Sequence, residues 1–502
     1  MATARYPALY EVNTRVWLHE LSQQLVKTAT LDDIPDEAID RIRLLGFDWV
    51  WFLGVWQLGP AGRHVSLTQP DWRRGYAEAL KDFSDDDVSG SPFAVQAYTV
   101  DRALGGEEAL ARLRERLRKR DLSLMLDFVP NHTSLDHAWV KAHPEYYIEG
   151  DDADLQREPH NYIRLETHHG PAIFAYGRDP YFSGWPDTLQ LNYRQKELRE
   201  QRIEELLHCA RQCDGLRCDM AMLVLPEIFQ KTWGDRSRPR DGSQPVDDPF
   251  WPQAIAALRR RHPDFLLMAE VYWDLEYTLQ QQGFDYTYDK RLYDRLCERD
   301  APGVRGHLQA DPEFMRRSAR FLENHDEPRA AATFPPGVHE AAAVITFLVP
   351  GLRFLHEGQL EGRTVRVSMH LERRPDEAAN LALVDFYERL LETLEADEFR
   401  NGRWQLLDCR SAWNGNPTWD RFIAFLWEGG DQGRDLVVVN YGPTRGQCLV
   451  QLPFDWMKDR QFMLRDRMTP ARHARDGNDM RLKGLYFDEP EWAVHVFQIV
   501  AA

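Results

Sequence analysis

The chain has 502 residues and a formal charge of −18, from 62 Lys and Arg against 80 Asp and Glu. That acid excess argues against a nucleic-acid partner, whose phosphates call for clustered basic residues, and against an anionic membrane surface. A composition of 43% hydrophobic and 28% charged residues, with no low-complexity segment, is that of a globular protein long enough for two or three units.

Taken in chain order, short apolar, β-branched or aromatic runs read as strands at 10–17, 47–53, 122–128, 215–220, 265–271, 284–288, 319–323 and 352–356. Amphipathic stretches at 36–45, 107–120, 196–211, 252–261, 339–347 and 377–396 read as helices between them. Eight strand-then-helix units predict an α/β fold, a closed (β/α)8 TIM barrel. An open doubly wound sheet is the alternative, but no Gly-rich phosphate loop follows the first strand.

Two interruptions divide this pattern. Roughly 65 residues, 130–194, separate the third strand from its helix, far more than an ordinary βα loop holds. They are rich in Tyr, His, Pro and Gly and read as a small domain over the mouth of the barrel. After residue 398 the pattern changes to strands at 422–427, 435–440, 447–452 and 492–499, an all-β C-terminal sandwich domain. The expected organisation is barrel over 1–129, inserted domain over 130–195, barrel again over 196–397, and β-domain over 398–502.

The N-terminus lacks the apolar stretch of a secretory leader. The most apolar window, 341–355, contains Pro350 and Arg353 and falls short of the ~20 residues that span a bilayer. A cytoplasmic location is therefore expected. The six cysteines show no disulfide or metal spacing, so they are read as reduced structural thiols. The acidic run Asp85-Asp86-Asp87 and the pair His168-His169 read as solvated loops.

In a (β/α)8 barrel, catalytic groups come from the C-terminal ends of several strands. Titratable residues terminate four of the apolar runs. The third ends in Asp127, followed by Asn131 and His132; the fourth ends Arg217-Cys218-Asp219; the fifth ends Ala269-Glu270; the seventh ends Asn324-His325-Asp326. Any one of these has an ordinary explanation, since Asp, Asn and His are common where strands hand over to loops. Four in one register do not.

These four segments resemble the signature regions of the α-amylase superfamily, glycoside hydrolase family 13, in residues, order and spacing. The resemblance covers nearly the whole chain. It implies Asp219 as nucleophile, Glu270 as general acid/base and Asp326 as transition-state stabiliser. Arg217, His132 and His325 are implied as substrate-binding residues, with Asn324 and Trp185 further candidates for sugar contact and Asp127 a support for Arg217 or the barrel mouth. A carbohydrate substrate, an α-glucan or α-glucoside, is the implied partner.

The chemistry asks for such groups. Retaining cleavage of a glycosidic bond needs one ionised carboxylate to attack the anomeric carbon and one protonated carboxyl to donate to the leaving oxygen. Arg217, two residues before Asp219 on one strand, points to the same face and would keep that carboxylate charged. Glu270 follows the apolar run 266–269 and precedes Tyr272 and Trp273, surroundings that favour a protonated acid.

The chain also departs from the family pattern. Where the segment after the second strand normally supplies a stacking Tyr followed closely by Asp, this chain has Phe93 and Ala94. A Phe can still stack under a sugar, but the carboxylate that grips a terminal glucose in exo-acting relatives is lost. Asn131 matches a calcium-ligand position, yet Gln190 replaces the carboxylate that would join it, and calcium selects charged oxygens. No cofactor is expected, with a calcium ion at this position kept as the disfavoured alternative. The Lys-His that often follows the nucleophile strand is replaced by Met222 and Leu223, which leaves the acceptor open. The expected activity is a retaining hydrolase of short α-glucans. A glucanotransferase or phosphorylase with the same machinery is the alternative, and an inactive sugar-binding barrel the remote one.

Overall fold

A computed structural model describes residues 4–239, 244–430 and 433–502; the extreme N-terminus read above, residues 1–3, lies outside them. Eight parallel strands close into a barrel: β1 (Ala8–Asn13), β2 (Trp49–Leu53), β3 (Ser123–Phe128), β4 (Gly215–Cys218), β5 (Leu266–Ala269), β6 (Tyr286–Tyr288), β7 (Ser318–Arg320) and β8 (Leu352–His356). Each pairs with its neighbours in sequence, and β1 closes the ring on β8. The interior is aromatic: Tyr288, Phe321 and Phe354 contact one another with centroids 5.3 to 5.8 Å apart, and Trp51 adds to them at 5.8 Å from Phe354. Such layers make a barrel a packed core, not a pore.

The first strand is shorter and earlier than expected. It ends at Asn13, whose side chain accepts the Val16 N–H at 3.3 Å and caps helix α1, Thr14–Leu25. An Asn cap overrides the apolar run that continues through Val16 and Trp17. The helix expected at 377–396 starts at Leu381, again behind an Asn cap, Asn380.

One excursion of the chain escapes the sequence pattern. After β2, an antiparallel ribbon (Trp56–Leu58 with Val95–Val100) carries two helices, α2 (Pro60–Thr68) and α3 (Pro70–Ala79). Proline at the first position starts each helix, and Leu67, Trp72, Tyr76 and Leu80 turn inward. Between β3 and helix α4 (Lys196–Gln212) lies the expected long insert, built from a ribbon His132–Ser134 with Thr188–Gln190 and a hairpin Tyr162–Thr167 with Gly170–Ala175.

Two antiparallel sheets follow the barrel. The larger contains β9 (Arg403–Leu407), β11 (Phe422–Glu428), β12 (Arg434–Asn440), β14 (Gln461–Asp466), β15 (Arg472–Asp476) and β17 (Val494–Ala501). The smaller contains β10 (Cys409–Ser411), β13 (Gly446–Val450) and β16 (Leu485–Glu489), and one short helix, Gly477–Lys483, interrupts the β pattern. Side chains of β11 alternate between two cores. Phe422, Ala424 and Leu426 pack between the two sheets, while Ile423, Phe425 and Trp427 pack with the barrel. Trp427 also donates its indole N–H to the Leu348 carbonyl at 2.7 Å. Among the described residues no helix is long and apolar enough to cross a membrane.

The acidic run is a 3-10 turn rather than a solvated loop throughout. Asp87 is buried because Arg373 grips its carboxylate through two hydrogen bonds of 2.8 and 2.9 Å.

Candidate active site

The four strand ends converge. Arg217, fully buried, donates from one terminal nitrogen to Asp219 Oδ1 at 2.7 Å and from the other to Glu270 Oε2 at 2.7 Å. Its Nε reaches the Tyr288 hydroxyl at 3.3 Å, and Asp127 Oδ1 lies 3.9 Å from the guanidinium. The guanidinium rests on rings, 5.0 Å from the Phe93 centroid and 5.3 Å from Trp51. Asp127 is in turn held by the Gly54 N–H at 3.1 Å. Gly54 has φ +80°, and a Cβ there would come within 2.8 Å of Pro92, so only glycine serves at this position.

Backbone strain sharpens the placement of Glu270. Met220 adopts φ 40°, ψ 46°, a left-handed conformation costly for a long side chain, and its N–H thereby meets Glu270 Oε2 at 2.7 Å. The other oxygen, Oε1, accepts from the Tyr272 hydroxyl at 2.8 Å.

Electrostatics separate the three carboxyls. Burial raises Glu270 to about 7, with Arg217 opposing and the Asp219 charge reinforcing the rise. Burial also raises Asp219, a larger effect than the Arg217 pairing expected to hold it down. Asp326 goes the other way, to about 2: burial opposes its charge, but the His325 imidazolium 3.0 Å away outweighs it. His325 itself lies between Asp326 and Glu11, whose Oε1 is 2.5 Å from Nδ1, and these two carboxylates hold the ring protonated against burial.

Phe93, His132, Trp185, Asp219, Glu270 and Asp326 line one cleft of about 760 Å³. Asp127, Arg217, Asn324 and His325 are buried and support that lining; Asn324 accepts the N–H groups of Asp326 and Glu327 at 2.9 Å each. His132 packs against Trp185 at 5.3 Å, and burial lowers its ring to about 3, so it is neutral. Glu11 and Tyr288 escaped the reading of the sequence, although each interrupts an apolar strand in the manner of the four segments singled out. The far wall, from Trp72 and Tyr76 of α3 to Met369 and His370, had no such signal.

Asn131 and Gln190 do not fit a calcium ion. Their amides bond reciprocally, Asn131 Nδ2 to Gln190 Oε1 at 3.0 Å and Gln190 Nε2 to Asn131 Oδ1 at 2.9 Å, and Gln190 Nε2 also reaches the Asn131 carbonyl at 3.0 Å. Their oxygens face donors, and among the described residues no carboxylate joins them.

The model of the alpha-amylase catalytic domain matches residues 94–405. Alpha-amylase MalA of Haloarcula japonica is 25% identical over 375 residues, covering 73% of this chain and 45% of the relative. The α-1,4-glucan:maltose-1-phosphate maltosyltransferase of Burkholderia pseudomallei is 26% identical over 57% of this chain and 21% of the relative. The chain thus spans less than half the length of these two curated relatives. Among solved structures, the maltogenic alpha-amylase AmyB of Thermotoga neapolitana superposes with a TM-score of 0.68 at 17% identity, covering 99% of both chains, a likeness of fold. With barrel, converging carboxylates and a family model that spans most of its length, the chain belongs to the alpha-amylase family.

Proposed function

We propose that the protein is a retaining enzyme of α-glucosidic bonds, acting on short malto-oligosaccharides or related α-glucans through a covalent glycosyl-enzyme. The observation that carries this reading is the single Arg217 guanidinium bonded to both Asp219 and Glu270. A shared cation supports the close carboxyl spacing of retention, ~5–5.5 Å, over the wider one that leaves room for a water.

In the first step Asp219 attacks the anomeric carbon while Glu270, protonated because burial raises it, donates to the departing oxygen. Asp326, ionised beside the His325 imidazolium, stabilises the oxocarbenium-like charge. In the second step Glu270, now a base, takes a proton from the acceptor that displaces Asp219. Phe93 offers the sugar an apolar face and His132 a neutral hydrogen-bonding edge. No metal ion takes part in this reading, and the Asn131–Gln190 pair braces the insert instead.

Water is the acceptor in the leading version. Transfer to a sugar or phosphate is the second, favoured by the maltosyltransferase relatives and by Met222 and Leu223 standing in place of the usual Lys-His. Incubation with maltotetraose separates them. Glucose and maltooligosaccharides no longer than the substrate are expected, whereas longer products would overturn hydrolysis in favour of transfer.

A further inference from the structure

The cleft holds a carboxylate for which the mechanism has no use. Asp187 lines it, is only 3% exposed, and among the described residues is gripped by no other side chain through a hydrogen bond or ion pair. Every other carboxylate deep in this cleft has a cation: Asp219 and Glu270 share Arg217, and Asp326 has His325. Burial raises Asp187 to about 7, and its only counterweight is its own backbone N–H. A buried polar group without a partner is costly and calls for one.

Its surroundings say what the partner is. The Tyr76 hydroxyl is buried without a well-formed hydrogen bond, and its ionisation is suppressed by burial and by the Asp187 charge. The Nε2 atom of the neutral His132 is likewise buried without a well-formed hydrogen bond. All three residues line the same cleft. An acceptor, a hydroxyl and a neutral imidazole suit a polyhydroxylated, uncharged ligand.

The wall behind them is fixed. Helix α3 packs through Tyr76 and Leu80 on Val88, Leu371 and Val367, and Trp72 meets His370 at 4.6 Å. Arg373 ties the strap of chain over residues 365–373 to Asp82 and Asp87, and the Ser89 N–H donates to the His370 carbonyl at 2.9 Å. Helix α2 also covers Ala94: a Cβ on Gly62 would sit 3.5 Å from the Ala94 Cβ. Ala94 is itself buried and is not among the lining residues, so the acid on this side of the cleft comes from the insert.

We propose that Asp187, assisted by Tyr76, is a specificity-determining residue that accepts the hydroxyls of a terminal sugar unit against the α3 wall, so that the cleft admits chain ends. The proposal rests on the α-glucoside reading above. The donor side is assigned because Tyr76 feels the Asp187 charge and Trp185, two residues before Asp187, packs on His132, whereas the leaving-group side is marked by Glu270 with Tyr272.

The test uses the full chain and p-nitrophenyl α-maltoheptaoside with its non-reducing end free or blocked as the 4,6-acetal, read by product chromatography so that internal cleavage registers. The wild type should cleave only the free form. With free-ended maltotriose, Asp187→Ala should raise KM by roughly 10- to 100-fold, the size of one or two hydrogen bonds to a charged acceptor, at near-unchanged kcat and melting temperature. Asp187→Asn, which keeps an acceptor oxygen, should recover part of that loss. Equal cleavage of blocked and free substrates, or an unchanged KM in a folded Asp187→Ala protein, would overturn the proposal while leaving the α-glucoside reading intact. Turnover of neither substrate by the wild type would overturn both. The blocked-substrate comparison stands even where a variant fails to fold.

Discussion

The two ends of the barrel each bury an arginine completely, and they use it differently. At the C-terminal ends of the strands, Arg217 faces Asp219 and Glu270 at 2.7 Å. At the opposite end, Arg353 donates to the backbone carbonyls of Tyr6, Phe347 and Phe399 and has no carboxylate partner among its hydrogen bonds. Burial lowers Arg353 to about 9, yet the carbonyls it satisfies have no other chemistry to offer. One guanidinium thus tunes groups that gain and lose protons; the other laces together the start of β1, the helix before β8 and the segment leading to the C-terminal sheets. What a buried arginine does follows from whether its partners can titrate.

That contrast can be broken first at Asp219. Asn there keeps the shape but not the charge, and turnover should fall by on the order of 10⁴-fold or more with little change in melting temperature. A variant of near-normal activity would remove Asp219 from the reaction. The converse holds at the other end. Arg353→Met leaves three carbonyls without their donor and should cost on the order of 3 kcal/mol in denaturant unfolding, while the folded fraction keeps the wild-type kcat. Loss of kcat without loss of stability would erase the distinction between the ends.

A smaller effect comes from pH. In the proposed mechanism Glu270 acts as an acid only while protonated, and burial raises it to about 7, so kcat/KM should decline as pH rises through about 7. The apparent value belongs to the coupled Asp219–Glu270 pair and is read from a pH–rate profile. An alkaline limb near the ordinary glutamate value would show that burial does not set the acid. The smallest change is expected at the neutral joint of Asn131 and Gln190, where dialysis against EDTA should move the melting temperature by less than about 1 °C. A large drop would reveal an ion holding the insert.

The convergence of polar residues at one end of the barrel was legible in the sequence because those residues break a strong pattern. A charged residue at the end of an apolar strand has few reasons to be there, and Asp127, Arg217, Asp219, Glu270 and Asp326 all declare themselves that way. Glu11 obeys the same rule but sits inside the run 8–13, where an apolar stretch read as continuing to Trp17 hid it. Helices α2 and α3 were illegible for another reason. Each is short, and they bury a few side chains against a distant strap, Leu371 and Val367, so their periodicity has no meaning until both segments are in place. Asp187 was not legible in this role, because nothing in its neighbours along the chain distinguishes an unpartnered carboxylate from a solvated one. Partnership is a property of the folded state.

The alternation along β11 makes the large C-terminal sheet a partition with a different room on each side. Neighbouring residues then answer to different owners. Truncating Phe425 removes packing from the barrel side and Leu426 from the sandwich side, although a single peptide bond joins them. Even and odd positions of this strand are in effect two interleaved texts, and excising the β-region would strip a wall from the barrel along with its tenant.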